Sequence, residues 1–527
     1  MSKRRNASRT LPAILALLAA DSAQAQLTDQ TQTPNVERAG IFKSLSEQVG
    51  DGVGDWATPG SSSYIIARDP ARSIRRGRQL FQRKFTLAQG LGPRMQDGIG
   101  DIHAVGAIGA GLIDSCAGCH GRPRGSAGFG GDVATRPDSR DAPHLFGLGL
   151  QEMLADEITS DLRAIRAQAI AQAAAQKRAV TRKLVSKGIS YGSLRANPDG
   201  SVSTGGVRGV DGDLRVRPFF AHGGTTSIRE FVVGALNDEM GLQAVDPLLL
   251  RAAAGARITT PTGMVLNGSR DVVKAGIAKT EADDPDGDGV RNEIPTSLVD
   301  HMEFYLFNYF KPGTYRQNST TKAGRELLTR IGCTGCHVQN LTIERDRRVA
   351  DVETAYDSTL GIFNRLYATA SLLVSEHDDG SGHPTVKRPL HGRFMVRNFF
   401  ADMKRHDLGP KFHERNYDGT LTTEFMTEPL WGVGSSPPYG HDGRSINLRE
   451  VILRHGGEAL ASRNAFATLP EAQKSAVLEF LNSLVLFPPD DTASNLDPGD
   501  PGAAGYPQRG HGSIRLQVLF NSPSEPE

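Results

Sequence analysis

The sequence predicts a mainly α-helical protein in which one arrangement of motifs occurs twice and the first copy carries a small β-hairpin insertion. Two observations lead to this prediction. The four cysteines form two identical patterns of the type Cys-x-x-Cys-His, and similar segments lie before and after each pattern. Self-similarity at one long interval, from residue 116 to residue 333, is typical of a duplicated domain rather than of a solenoid.

Length and composition agree with two domains. The chain has 527 residues, which suits two domains and their connections. Its formal net charge is +1, so neither nucleic acid nor an anionic membrane surface is indicated as a partner. Glycine is abundant, with 59 residues, and aromatic residues make up only 6%. This composition is typical of a loop-rich protein in which large flat cofactors contribute to packing.

The N-terminus predicts export. Four basic residues within the first nine positions precede an apolar run at residues 11–20, and Ala23 and Ala25 fit a small-x-small cleavage site. This order is typical of a secretory signal peptide. A membrane anchor is the alternative, but the run is about half of the ~20 residues that a membrane span needs. We therefore expect a periplasmic protein, cleaved near Ala25, with no transmembrane segment.

The cysteine patterns predict two covalently bound haems. Their residues are Cys116, Cys119 and His120, and Cys333, Cys336 and His337. Cys-x-x-Cys-His is the attachment signature of c-type haem. On one helical turn the two thiols reach the two vinyl groups of a porphyrin, and the adjacent histidine lies under the iron as proximal ligand. A thioredoxin-type redox pair, a structural zinc site and two disulfides are the alternatives.

The segments around the two patterns match in order. A Gly-Arg-x-Leu segment is predicted to open an amphipathic helix that leads toward the haem, at Gly77 and again at Gly324. Beyond the patterns, His222 and the helix start at 227–230 parallel His441 and the helix start at 447–450. We therefore predict two cytochrome c-like haem domains that arose by duplication.

The first copy contains an insertion. Residues 160–187 are rich in Ala, Arg and Lys and lack Gly and Pro, which predicts one long helix. Residues 189–215 alternate around a turn sequence at 197–200, which predicts a small hairpin. The predicted organisation is a signal peptide at 1–25, an N-terminal extension at 26–75, a first haem domain at 76–245, a connector at 246–315, a second haem domain at 316–487 and a flexible tail at 488–527.

Five stretches resemble the bacterial di-haem oxidoreductases of the peroxidase type. This family is related to di-haem cytochrome c peroxidase and to the methylamine dehydrogenase maturation enzyme. The stretches lie at 142–150, 405–409, 428–434, 438–444 and 454–459. The resemblance implies that the first haem is the reaction site and that the second haem transfers electrons.

The same resemblance implies a catalytic carboxylate at Glu239, within the stretch 237–240. Peroxide cleavage needs a base that takes a proton from one oxygen and returns it to the other. Alternatively, Glu239 only ends a helix or pairs with an arginine. His222 is predicted at the place where the peroxidases have a tryptophan between the haems, and Trp56 and Trp431 are not expected there. The next histidine after His120 is His144, so an open first iron is expected.

The resemblance also assigns histidines around the second haem. His455 falls where the peroxidases supply a distal methionine, so bis-histidine ligation of the second iron is predicted. Alternatively, His455 is a partly buried polar residue of an amphipathic helix. His441 and His406 are interpreted either as residues that orient ligands or link the haems, or as purely structural residues.

An acidic segment in the connector predicts a calcium loop. Asp284, Asp286 and Asp288 alternate before a glycine turn, and Asn292 follows. Hard oxygen ligands that converge on one ion are what calcium requires. A complete EF-hand is excluded, because its closing glutamate would fall at Pro295. An ordinary acidic turn is the alternative.

Three functions remain open from the sequence. The leading hypothesis is a periplasmic oxidoreductase that takes electrons from a small cytochrome c or cupredoxin and reduces peroxide or another small oxidant. The second is an electron-transfer cytochrome without substrate chemistry. The third is a haem oxygenase or protein-modifying enzyme with an organic or protein substrate. The oligomeric state is left open between a monomer and a homodimer.

Overall fold

The computed structural model describes most of the central chain. The described residues are 58–92, 113–120, 138, 140–308, 313–314, 317–356, 366–372, 374–377, 386–389 and 392–485. The predicted signal peptide, the first part of the N-terminal extension and the predicted tail lie outside these residues.

Helices dominate the described part, and the strands are short. The α-helices are α1 (Ser62–Arg68), α2 (Pro70–Gln82), α3 (Cys116–His120), α4 (Leu148–Gln176), α5 (Ile228–Asp238), α6 (Pro247–Ala253), α7 (Thr296–Phe307), α8 (Ser319–Arg330), α9 (Leu448–Arg454), α10 (Leu460–Thr468) and α11 (Glu471–Asn482). The strands are β1 (Val180–Ser186), β2 (Ile189–Ala196), β3 (Val202–Ser203), β4 (Arg257–Thr259), β5 (Val265–Asn267), β6 (Gly313–Thr314), β7 (Leu341–Ile343), β8 (Ala350–Tyr356), β9 (Leu366–Leu372), β10 (Val374–His377), β11 (Val386–Pro389), β12 (Phe394–Val396), β13 (Arg405–Asp407), β14 (Glu414–Arg415), β15 (Leu421–Thr422), β16 (Glu424–Met426) and β17 (Leu484–Val485).

Two helix pairs of the same kind precede and follow the cysteine motifs. The glycines predicted to open the first helix of each pair lie inside it instead, because α2 begins at Pro70 and α8 begins at Ser319. In the first pair α2 crosses α7, and a Cβ atom added at Gly77 would lie 2.3 Å from the carbonyl oxygen of His301. In the second pair α8 crosses α11, and a Cβ atom at Gly324 would lie 2.0 Å from the carbonyl oxygen of Ala476. Both glycines therefore allow a close helix crossing that any side chain would block.

The insertion in the first half differs from its prediction. α4 begins at residue 148 and ends at 176, and the predicted last turns are instead the strand β1. The helix ends because Lys177 adopts a left-handed backbone conformation (φ 50°), after which Val180 and Leu184 turn inward. β1, β2 and β3 form a three-stranded antiparallel sheet, in the order β1-β2-β3, with the predicted turn at 197–200 between β2 and β3.

The hydrophobic core crosses the predicted domain boundaries. The larger buried cluster contains α2, α4, α5 and α7 side chains, and it also includes Phe399 and Trp431 from the C-terminal half. A smaller cluster joins α8 and α11 through residues such as Leu327 and Phe480. The predicted connector therefore contributes α7 to the first core. Two independent cytochrome-like domains stay a prediction.

Among the described residues, no helix combines the length and the apolar character needed to cross a lipid bilayer.

Candidate functional site

One large cavity joins both cysteine motifs. Its volume is about 1210 Å³, above the roughly 300–1,000 Å³ that is usual for a pocket holding one drug-sized ligand. Its walls include both cysteines and the histidine of each motif: Cys116, Cys119, His120, Cys333, Cys336 and His337. Residues 217 positions apart in sequence thus face one space, which has room for more than one flat cofactor.

The motif histidines share one hydrogen-bond arrangement. Nδ1 of His120 donates to the carbonyl oxygen of Pro143 at 2.7 Å, and Nδ1 of His337 donates to that of Phe400 at 2.8 Å. A histidine that binds a metal through Nε2 typically donates its other ring N–H in this way, because the bond fixes its tautomer and orientation. Burial lowers the pKa of both imidazoles, to about 4 for His337. A neutral ring with a free Nε2 is the form that coordinates iron.

A third histidine, His455, has the same arrangement in the second half. Its Nδ1 donates to the carbonyl oxygen of Val451 at 2.7 Å, at the end of α9. His455 lines the cavity, and its charge is close enough to His337 to contribute to the lowered pKa of that imidazole. This geometry is compatible with a second imidazole ligand, and ligation of the second iron by His455 stays a prediction.

The thiols are suited to attachment and poorly suited to redox exchange. None of the four cysteines forms a disulfide. Burial raises the pKa of Cys116 to about 12 and that of Cys333 to about 11, whereas a reactive thiol pair needs a lowered pKa. Among the described residues, no group of potential metal ligands combines cysteines from both motifs, so a shared zinc site is not supported. The donor set and the cavity fit haem.

Glu239 lies in the wall of the cavity beside the first motif. It is the C-cap residue directly after α5, and it lines the same space as Cys119 and His120. Burial raises the pKa of the Cys119 thiol to about 11, and the negative charge of Glu239 adds to this rise. The carboxylate is therefore near the first attachment site, although its catalytic role stays a prediction.

His144 is held by the protein on both sides of its ring. Its Nδ1 accepts the backbone N–H of Phe146 at 3.3 Å, and the ring also hydrogen-bonds the backbone of Trp431. Burial lowers the pKa of His144 to about 4. Trp431 lies against Gly147, where a Cβ atom would come within 2.5 Å of the indole. His144 thus ties the two halves together and is not free to ligate iron.

The turns before α5 and α9 correspond in a register that differs from the predicted one. Phe219 pairs with Thr225 in the first turn, and Tyr439 pairs with Ser445 in the second. Ser227 and Asn447 cap the following helices, each eight residues after the start of its turn. In this register Ala221 corresponds to His441.

His222 consequently corresponds to Asp442, so the predicted match between His222 and His441 is shifted by one residue. Ala221 lines the cavity, and His222 is not among the lining residues. Instead, Nδ1 of His222 lies 3.1 Å from Nη1 of Arg140. His222 therefore lies beside Arg140 and not in the cavity lining, and its catalytic role stays a prediction.

His406 carries a buried positive charge beside the second motif. Its Nε2 lies 2.9 Å from Asp402 and its Nδ1 lies 2.9 Å from Glu458. Burial opposes protonation, but hydrogen bonds to Asp402 and Cys336 and the charge of Asp402 outweigh it and raise the pKa of His406 to about 11. Because both nitrogens are engaged, His406 orients its neighbours and is not available as an iron ligand.

Several residues of the cavity wall were not predicted as site residues. Arg140 donates through Nε to Glu414 at 2.6 Å, and His441 lies 3.2 Å from the same carboxylate. Glu428 turns its side chain into the cavity, where burial raises its pKa to about 7 against the opposing charge of Arg140. The partners are up to 274 positions apart, so no local sequence signal joins them.

The acidic loop brings its three aspartates together. Ligand oxygens of Asp284, Asp286 and Asp288 lie within 4.8 Å of one another. The carboxylate of Asp284 already accepts the backbone N–H groups of Gly287 and Gly289, at 2.9 and 3.0 Å. This arrangement fits both a cation loop and an ordinary acidic turn, and calcium binding stays a prediction.

Comparison with known families supports the resemblance inferred from the motifs. Residues 347–484 match the family model described as "Di-haem oxidoreductase, putative peroxidase". The predicted resemblance to di-haem oxidoreductases is confirmed. The matched segment contains Trp431, His441 and His455 but neither cysteine motif.

No curated protein matches the chain in a sequence search. A solved structure of Kuenenia stuttgartiensis hydrazine synthase, pressurised with xenon, matches at 15% identity and a TM-score of 0.21. The match covers 36% of this chain, and the chain spans about half, 55%, of the hydrazine synthase chain. A similarity at this level carries no argument about fold or function.

Proposed function

We propose that this protein is a periplasmic oxidoreductase of the peroxidase type that carries two covalently attached c-type haems. The proposal depends above all on the cavity of about 1210 Å³ that both Cys-x-x-Cys-His motifs line. In each motif the histidine is held by a hydrogen bond from Nδ1 to a backbone carbonyl oxygen. The family match over residues 347–484 supports the oxidoreductase assignment.

In this proposal the first site performs the chemistry. Bound haem supplies the redox-active centre that reduces a peroxide or another small oxidant. His120 presents Nε2 to the cavity because Nδ1 is held by Pro143. Glu239 takes a proton from one oxygen of the substrate and returns it to the other, which is the role of a general acid–base carboxylate.

The second site receives and passes on electrons. His337 and His455 would hold the second haem through Nε2, and two imidazole ligands would leave no position for substrate. The external donor is a small redox protein, a cytochrome c or a cupredoxin. A saturated donor site and an open reaction site divide electron entry from substrate chemistry.

The first test of the proposal is the content of haem. Purified mature protein is expected to be coloured and to have a mass that includes two porphyrins. An optical and paramagnetic resonance spectrum of the oxidised protein should show one bis-histidine low-spin signal and one high-spin signal. A colourless chain, or one without added porphyrin mass, contradicts the proposal.

The second test addresses the carboxylate at the first site. Glu239→Gln keeps the shape of the side chain but cannot take up a proton, so peroxide turnover with reduced cytochrome c should fall by about 10²–10⁴-fold. Haem content and the second-site spectrum should be unchanged. Turnover equal to that of the wild type removes Glu239 from the mechanism.

A further inference from the structure

A buried ion pair joins the two halves of the molecule beside the cavity that both motifs line, with Arg140 in the cavity wall. Arg140 precedes the segment that holds His120, and Glu414 lies on β14 in the C-terminal half. The guanidinium donates to both carboxylate oxygens, through Nε at 2.6 Å and through Nη2. A forked arginine–carboxylate pair is short, directional and strong.

Glu414 connects this pair to an aromatic stack. Nε2 of His441 lies 3.2 Å from Oε1 of Glu414. The imidazole is parallel to the ring of Phe425, with ring centroids 3.9 Å apart and an angle of 11° between the planes. The guanidinium of Arg140 lies over the ring of Phe425, 6.0 Å from its centroid. We call Arg140, Glu414, His441 and Phe425 the inter-site bridge.

The inter-site bridge continues to the second site through a further ring. Phe412 lies edge-on to His455, with centroids 5.3 Å apart, and its centroid is 6.0 Å from that of His441. Phe425 and His406 are directly opposite residues of the β13–β16 ladder. Phe412, Phe425, His441 and His455 all line the cavity.

On the other side the bridge is fastened to the first half. The residue after Phe425, Met426, donates its backbone N–H to the carbonyl oxygen of Ala221 at 2.8 Å. Ala221 lines the cavity at the position that corresponds to His441 in the second half. The first half thus contributes the small residue Ala221 at this position, and the C-terminal half contributes the Phe425–His441 stack.

The charges of the bridge are stable. Burial acts to raise the pKa of Glu414, but the two hydrogen bonds from Arg140 and its charge outweigh it and lower that pKa to about 2. The carboxylate is therefore ionised over the whole physiological range. Because the Arg140–Glu414 pair stays charged at physiological pH, it can hold the aromatic stack in one geometry throughout that range.

We propose that the Arg140–Glu414 ion pair is a positioning device that holds the Phe425–His441 stack between the two haem pockets, so that electron transfer between the pockets depends on it. This inference rests on the proposed function. Coupling between two sites is carried by chains of packed side chains and hydrogen-bond networks. With both haems bound, one electron would pass from the second haem to the first, and no bond or proton would change at the bridge.

The test uses the complete holoprotein and three variants. Glu414→Gln removes the charge of the bridge and keeps its shape, and Phe425→Leu removes the stacked ring while remaining apolar. The matched control is Arg415→Gln, because Arg415 neighbours Glu414 and forms an exposed ion pair with Asp138, also across the two halves. One electron per molecule is injected by flash photoreduction, and its redistribution between the haems is followed optically.

Glu414→Gln and Phe425→Leu should each slow the redistribution at least about tenfold, and Arg415→Gln should stay within about twofold of the wild type. The midpoint of urea unfolding is measured for every variant. A lower midpoint with an unchanged redistribution rate means a purely structural role and overturns the proposal. If Glu414→Gln does not fold, the rate in Phe425→Leu decides alone.

The outcome for the bridge is separable from that for the proposed function. A preparation without two haems overturns the proposed function and, with it, the bridge. A preparation with two haems in which both bridge variants transfer electrons as fast as Arg415→Gln overturns the bridge alone.

Discussion

The two cysteine motifs share their internal geometry and differ in their neighbours. In both motifs the histidine donates its Nδ1–H to a backbone carbonyl oxygen, and its Nε2 is then the atom that can bind iron. The first motif has the carboxylate of Glu239 beside it, whereas the second has the imidazole of His455. The same local motif therefore meets a carboxylate in one half and an imidazole in the other, depending on what the rest of the chain places next to it.

The charges near the motifs differ as well. His144, beside the first motif, is neutral because burial lowers its pKa to about 4. His406, beside the second motif, hydrogen-bonds two carboxylates, those of Asp402 and Glu458. Its pKa is therefore raised to about 11, and the ring is cationic. Burial alone thus does not decide the charge of a histidine; its hydrogen-bond partners do.

The largest expected effect comes from removing one motif at a time. A variant with Cys116→Ser and Cys119→Ser should lose one haem by mass and all peroxide turnover, while the low-spin second-site spectrum remains. The reciprocal variant, with Cys333→Ser and Cys336→Ser, should keep a high-spin iron but accept no electrons from reduced cytochrome c. Loss of the same spectral signal in both variants would show that the two sites are not distinct.

A smaller effect is expected from changing the ligand of the second site. His455→Met replaces imidazole by a thioether, which raises the reduction potential of a haem iron. A redox titration should therefore show the second haem shifted upward and the first haem unchanged. An unchanged potential at both haems means that His455 is not a ligand, and His441→Met then serves as the comparison.

The two histidines near the motifs predict opposite pH dependences of stability. The raised pKa of His406 contributes stability that is fully present below its unfolded value of 6.5 and is lost as the pH rises through about 11. The lowered pKa of His144 contributes stability that is present above 6.5 and is lost as the pH falls through about 4.

Urea unfolding of the holoprotein across this pH range checks both signs. His406→Gln should flatten the decline of the free energy of unfolding between pH 6.5 and 11, and His144→Gln should flatten the decline between 6.5 and 4. Each variant is the control for the other. A variant that flattens the wrong limb contradicts the charge assigned to that histidine.

The smallest expected effect concerns the acidic loop, which lies outside both motifs. Calcium added to chelator-treated protein should raise the melting temperature slightly, and Asp286→Asn should abolish the rise, because the loop would lose one carboxylate ligand. Asp283→Asn is a matched control, since Asp283 caps a neighbouring turn through Lys279 and Thr280. No calcium binding by titration calorimetry identifies the segment as an ordinary acidic turn.

Features that depend on near neighbours could be read from the chain. The Cys-x-x-Cys-His patterns, the turn at 197–200 and the caps at Ser227 and Asn447 all lie in local structure that a few adjacent residues determine. The prediction of a helix over 160–187 was wrong at its C-terminal end. Val180 and Leu184 belong to β1, which pairs with β2 further along the chain.

The tertiary structure decided everything that joins distant segments. The carbonyl groups of Pro143 and Phe400 lie 23 and 63 positions from the histidines they hold, and Arg140 and Glu414 are 274 positions apart. It also places Ala221, and not His222, in the cavity wall at the position that corresponds to His441. Sequence alone determined which groups can bind haem, because that chemistry lies within one helical turn. Which side chains surround each motif depends on packing between the two halves, and no short pattern encodes it.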